Sequence, residues 1–381
     1  MKTPSPPLFH TRWVFLPAFV SCFMLSAALP ASGAGTKRLL AYYPYWVKDQ
    51  TPSYSAAQIP YRKMTHIAHA FLLLDARADG SLHVPPDLLE PELISRAHAA
   101  GVKVMISIGG ADPVQQAAFA AVARDDARRR AFARNVHDFV TANGYDGVDI
   151  DWEVPNAPED TQPCILLMQA LRDEMPAPEW LLSMAIPANP RGWGTGFDVR
   201  ALAPKLDFIN VMTYDMHGPW SDHAGHNSPL IRNADDPGEE GSVADSIDLF
   251  ANDYGVPPDQ LNVGTAFYGY QFDGVAQLWD ACDCDQTTTS QNYGTYIKQR
   301  INRLGWKDKS DKAARAPYLV RQGSPGIITY DNAASTARKV DYALGKRNLG
   351  GVFMWQLSGD YDGRKQDLLD AMYRAFLRYQ H

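Results

Sequence analysis

Asp146-Gly147-Val148-Asp149-Ile150-Asp151-Trp152-Glu153 is the stretch on which the reading of this chain turns. Asp149, Asp151 and Glu153 alternate with Val148, Ile150 and Trp152. Side chains two apart in a strand share a face, so three carboxyl groups line one side while bulky apolar groups pack on the other. Isolated carboxylates are costly to bury, so this is no packing solution. Crowding should raise at least one of their pKa values, which is what a general acid needs near neutral pH. A solvated strand face or a calcium site is the alternative, but a calcium loop would be rich in Gly and Asn rather than Val, Ile and Trp.

Outward from this segment, short apolar runs alternate with amphipathic stretches. Leu39 to Tyr43, Ile67 to Leu73, Val102 to Ile108, Gly147 to Trp152, Leu181 to Ile186, Phe208 to Met212, Leu261 to Phe267 and Gly351 to Met354 read as eight strands. Most are continuous rather than alternating, as expected for strands covered on both faces. Leu88 to Ala99, Asp126 to Thr141, Pro163 to Met175, Val243 to Tyr254, Ala333 to Lys346 and Lys365 to Tyr379 read as helices. The pattern predicts an α/β fold, a closed (β/α)8 TIM barrel. A doubly wound open sheet competes, but no Gly-rich phosphate loop follows the first strand.

Four motifs then point to one family. Asp146, Asp149, Asp151 and Glu153 fill the acidic positions of a DxxDxDxE signature. Ser107-Ile108-Gly109-Gly110 resembles an SxGG segment, Met212-Thr213-Tyr214-Asp215 an MxYD segment, and Gly351-Val352-Phe353-Met354-Trp355 an eighth strand ending in a floor tryptophan. In this order they resemble family 18 glycoside hydrolases, the chitinase family, from about Arg38 to the C-terminus. The resemblance implies hydrolysis of β-1,4 links between N-acetylglucosamine units, with chitin or its oligosaccharides as partner and no metal or organic cofactor. Glu153 would be the general acid. The substrate's acetamido oxygen would attack its own anomeric carbon, oriented by Asp151 and Tyr214, with Asp149 shaping the proton distribution and Asp215 binding sugar. Asp146 reads instead as a structural hydrogen-bonding residue.

The same resemblance implies a sugar-binding surface. Trp355 would form the floor, Trp46 and Tyr42 the side near the first strand, and Trp220 the opposite side. Phe71, Met212, Tyr268, Gly110 and Ser107 complete the set, with Ser107 hydrogen-bonding near Asp149. Ring faces suit this work because pyranose C–H groups pack on them. His217, His223, His226 and Asn227 follow the sixth strand and are expected to make hydrogen bonds at the rim rather than bind metal. Two positions depart from the family pattern: Ala111 follows SxGG where a tryptophan is common, and Tyr270 stands where an arginine often does. Both put polymer grip and processivity in question without touching the catalytic set. Related hydrolases of peptidoglycan or the N-glycan core, and a non-catalytic lectin of the same fold, are the competing functions.

The segment between the seventh and eighth strands breaks the alternation. Tyr293 to Leu304 reads as a helix, followed by apolar Ala316 to Leu319 and Gly326 to Tyr330. It resembles the family's small α+β insertion, placed at about 268–330. Residues 1–34 read as a secretory signal peptide: Lys2, His10 and Arg12 precede the apolar Trp13 to Leu29, and Ser32-Gly33-Ala34 offers a cleavage site. The apolar run is short for a membrane anchor. Cys22 lies in a poor lipobox-like context. Export is therefore expected, with no membrane association after cleavage, and the chain is expected to act as a monomer. The 381 residues carry a formal net charge of −7, and the leader holds basic residues but no acid. An acidic chain suits neither nucleic acid nor anionic membranes. Cleavage would leave Cys164, Cys282 and Cys284, an odd number that cannot be a complete disulfide framework. Cys282-Asp283-Cys284 is tight for a relaxed bridge, with a labile local bridge as the alternative.

Overall fold

The computed structural model describes Met1 and residues 36–153, 155, 158–189, 192 and 194–380. The predicted leader, Met1 apart, lies outside the described residues. Thr36–His381 form one compact unit.

Within that unit, eight strands close a parallel barrel: Arg38–Pro44, His66–Leu74, Lys103–Gly109, Gly147–Asp151, Leu181–Pro187, Phe208–Met212, Leu261–Ala266 and Gly351–Trp355. The last pairs with the first, and the first with the second, so no edge is left open. All eight expected strands are present, every end within one residue of its expected bound. Their apolar residues are almost entirely inaccessible to solvent, which is why they read as continuous runs.

The helices outside the barrel start where the chain supplies caps. Asp125 accepts from the Arg128 amide to open Asp126–Asn143, and Gly144, at φ 74°, closes it. Asn332 and Ser335 cap Ala333–Val340 reciprocally. Three expectations need correction. The helix placed from Leu88 begins only at Pro91, after Glu90. The helices expected through Tyr254 and Lys346 keep regular α geometry only to Asp248 and Val340, then widen into π-type turns. A further helix, Pro113–Arg124, was not foreseen: its Ala-rich sequence carries little amphipathic contrast. Its signal was Asp112-Pro113, where the aspartate accepts from the Val114 amide.

Between the seventh and eighth barrel strands lies a five-stranded antiparallel sheet in the order Thr288–Asn292, Tyr268–Asp273, Gly326–Thr329, Ala316–Arg321, Trp306–Asp311. The helix expected over Tyr293 to Leu304 is two short turns, Tyr293–Ile297 and Lys298–Arg300. The Trp306–Asp311 strand escaped the sequence reading because it is a mostly exposed edge strand rich in Lys and Asp. Cys282 and Cys284 are joined in a disulfide, and Cys164 is a buried free thiol. The odd count thus resolves into one local bridge and one core residue.

Candidate active site

Fourth-strand residues at positions 149 and 151 point into the barrel, and Glu153 follows at its C-terminal end, where barrel active sites lie. Asp149 is fully buried and held by four donors. Tyr42 Oη and Ser107 Oγ donate to Oδ2, each at 2.8 Å, and Ser183 Oγ (2.6 Å) and Asn210 Nδ2 (3.2 Å) donate to Oδ1. Burial pushes its pKa up while these bonds pull it down. Asp151 has no such support: Oδ1 is buried without a hydrogen-bond partner. Burial, then the charges of Glu153 and Asp149, push its pKa well up. Glu153 is pushed up to about 7, chiefly by burial and then by the charge of Asp215. One carboxylate satisfied by hydrogen bonds thus lies beneath two that favour holding a proton.

Asp215 is built differently. It adopts φ 61°. Asn227 accepts from its amide at 2.8 Å, and Tyr268 and Tyr270 both donate to Oδ1, Tyr270 at 2.9 Å. Burial raises its pKa and the two phenols oppose that rise. Tyr270, read from sequence only as a departure, is therefore a direct partner of a site carboxylate. Gly109 and Gly110 sit at φ 123° and 96°; a methyl group on Gly109 would strike the Asp151 carbonyl, and one on Gly110 the Phe71 ring.

Asp151, Glu153 and Asp215 open onto a cavity of about 490 Å³. Tyr42, Phe71, Met212, Tyr214, Tyr268, Trp355 and Trp220 reach it as well. Trp355 stacks on Phe71, ring centres 5.7 Å apart, and tilts against Tyr42 at 5.6 Å. Three predicted sugar-binding residues are not in the lining of this cavity. Ser107 is sealed beneath Asp149, and Gly110 shapes the backbone behind Phe71. Trp46 packs on the Phe71 ring at 6.0 Å, and is not among the lining residues. Asp146 accepts from Lys103 Nζ (2.7 Å) and the Val104 amide (2.8 Å) and pairs with His98 at the strand's other end, a structural role as expected.

The sequence reading missed Ser183, Asn210, Asn189, Met216 and Glu240. Ser183 and Asn210 had a signal, each being a polar residue in an apolar strand. The loop residues had none. His217, His223, His226 and Asn227 are not at a rim: each is at most 4% exposed. His226 pairs with Asp311 (3.2 Å), and Asn227 holds the backbone of Asp215 and Tyr268. His217 and His223 converge with Asp236 and Glu240.

A model of the family described as "Glycosyl hydrolases family 18" matches residues 38–360. Chitinase A1 of Niallia circulans is 28% identical over 94% of this chain, which spans 61% of that protein's length. Chitinase 1 of Aphanocladium album is 27% identical over 82% of this chain and 79% of its own. The structure of catalytic domain 2 of the Group II chitinase of Ostrinia furnacalis superposes with a TM-score of 0.81 at 25% identity, covering 90% of this chain and 97% of that one.

Proposed function

Since the chain belongs to glycosyl hydrolases family 18, we propose that it is a chitinase acting by a retaining, substrate-assisted mechanism on β-1,4-linked N-acetylglucosamine. The observation that carries this reading is the buried pair Asp151 and Glu153 facing an aromatic cavity, with Glu153 pushed up to about 7. A carboxylic acid must stay neutral near working pH to protonate a glycosidic oxygen.

Glu153 gives its proton to the bridging oxygen as the bond to the anomeric carbon breaks. The acetamido oxygen of the same sugar forms the new bond to that carbon, giving an oxazolinium. Asp151, its Oδ1 unpartnered in the protein, accepts from the acetamido N–H, and, because the proton that it and Glu153 compete for is held on Glu153 at the start of the step, its carboxylate balances the positive charge. Tyr214, whose phenol is kept protonated by burial and the neighbouring acids, donates to the acetamido oxygen. Water then adds to the anomeric carbon from the vacated side, losing a proton to Glu153, and configuration is retained. The cavity's aromatic walls pack on the sugar faces.

The reading extends to export with removal of residues 1–34, and to action as a monomer. Among the described residues no helix is long and apolar enough to cross a membrane.

Chitin oligosaccharides incubated with the protein, followed by product mass and anomeric form, test this. First-formed β-anomers with N-acetylglucosamine repeats support it. First-formed α-anomers would overturn the mechanism, and binding without cleavage would make the protein a lectin.

A further inference from the structure

The loop that follows Asp215 gathers two histidines and two acids around one point. His217, His223, Asp236 and Glu240 each turn one ligand-type atom inward, all within 4.8 Å of one another. The outer atoms of both imidazoles are already committed. His217 Nδ1 lies 3.1 Å from the His226 carbonyl oxygen, which can only accept, so Nδ1 carries the proton. His223 Nδ1 lies 2.5 Å from the Asp222 carboxylate and is fixed in the same tautomer. Each ring therefore presents a lone pair at Nε2. Those two Nε2 atoms face each other at 3.0 Å. Asp236 Oδ1 lies 3.5 Å from one and 3.2 Å from the other, and Glu240 Oε2 lies 3.6 Å from His217 Nε2. Glu240 Oε2 is buried with no hydrogen-bond partner.

Four electron-rich atoms thus converge, and a single proton can join only two of them. Their spacing fits a metal. Ligand atoms bound at roughly 2.0–2.1 Å to a tetrahedral zinc ion lie about 3.4 Å apart. The four distances above fall on both sides of that edge length. Both imidazoles have an outer partner of the kind that orients metal-bound histidine, a backbone carbonyl for one and a carboxylate for the other. Space is reserved as well: a methyl group on Gly225 would collide with the His217 ring, and one on Gly238 with the Glu240 carboxylate. Trp279 covers the rings, its centroid 5.8 Å from His217 and 6.2 Å from His223.

We propose that His217, His223, Asp236 and Glu240 form a structural site for a zinc-class divalent ion. Four protein ligands complete a tetrahedron, so the site stabilises rather than catalyses. The ion ties the start of the loop at residue 217 to its end at residue 240. That loop carries Trp220 to the wall of the cavity, Met216 reaches it just before the loop begins, and Glu240 itself reaches the lining. Imidazole with carboxylate selects zinc, copper or nickel over calcium or magnesium.

The test uses untagged protein stripped with a chelator and dialysed, then offered zinc or cobalt(II) alone. About one zinc per chain is expected, with the strong visible absorption of tetrahedral cobalt and a rise in Tm of roughly 2 °C or more on zinc addition. His223→Gln should abolish the cobalt spectrum. Asp222→Asn, at a side chain that is 95% exposed and so safe for folding, should weaken zinc binding about 10- to 100-fold by loosening His223. Failure of the wild-type protein to take up zinc would overturn the proposal. So would zinc binding unchanged in Asp222→Asn and His223→Gln, or a preference for calcium.

Discussion

Two regions of this molecule bury acids, and they dispose of the charge in opposite ways. On the fourth barrel strand, Asp151 and Glu153 are surrounded by apolar walls and by other acids, and among the described residues neither is in an ion pair. The cost of their charge is met by raising their pKa values. On the loop after the sixth strand, Asp236 and Glu240 face two imidazoles, and Asp236 is held below the usual carboxylate range by its histidine partners despite burial. The first arrangement holds protons and can release them to a substrate. The second favours the ionised form of Asp236 and gathers ligand atoms that suit a positive charge. Acids without cationic neighbours are poised for acid–base chemistry, and acids with imidazole neighbours are poised for ligation.

The comparison breaks most sharply at Glu153. Glu153→Gln keeps the size of the side chain and removes the transferable proton. Turnover of chitin oligosaccharides should fall by about 10³-fold, while their affinity, read by calorimetry, is preserved. Retained turnover would remove Glu153 from the acid role. Asp151→Asn comes next, with an expected loss of about 10²-fold. Its signature is substrate dependence: a sugar lacking the N-acetyl group should be cleaved by neither the variant nor the wild type. Wild-type cleavage of such a sugar would sink the substrate-assisted step.

The catalytic strand was legible because its signal is local. Three acids at period two within Val148, Ile150 and Trp152 have few structural explanations, and the eight apolar runs fixed the barrel around them. What escaped depends on partners far along the chain. Ser183 and Asn210 meet Asp149 from neighbouring strands, and a single polar residue in an apolar run does not announce its partner. The inserted sheet pairs strands out of chain order, and its Trp306–Asp311 edge has no apolar alternation to read. The histidine cluster spans positions 217 to 240, with spacings unlike a compact metal motif, so no short pattern could gather it. Tyr270 was visible as a departure, but its bond to Asp215 follows only from the fold.

A third prediction sharpens the contrast through pH. The negative charge of Asp215 is the second cause, after burial, of Glu153's rise to about 7. The acid must be protonated to act, so kcat/KM should fall as pH rises through about 7 in the wild type. Asp215→Asn removes a negative neighbour, which eases ionisation of Glu153. The alkaline limb should therefore move to lower pH, with a loss of rate at pH 7 larger than at pH 5. A limb that stays in place would show that burial alone sets the acid.

Tyr270 is where the two regions meet, and it gives the smallest expected effect. Its phenol donates to Asp215 at 2.9 Å, and its ring stands edge-on to Trp220, 5.8 Å away, on the histidine-bearing loop. Tyr270→Phe removes the donor and keeps the ring. Asp215 retains Tyr268, so about 1 kcal/mol should be lost, or roughly 5-fold in kcat/KM. The sign follows from the bonds: without one donor Asp215 ionises less readily, its charge presses less on Glu153, and the alkaline limb moves down by less than in Asp215→Asn. A kcat/KM loss as large as that of Asp215→Asn would mean that Tyr270 touches the substrate itself. A limb displaced upward would contradict the direction of the Asp215 field. Because the Trp220 contact survives in the variant, zinc uptake at the histidine cluster should not change, which separates the proton-holding region from the charge-binding one at the residue that joins them.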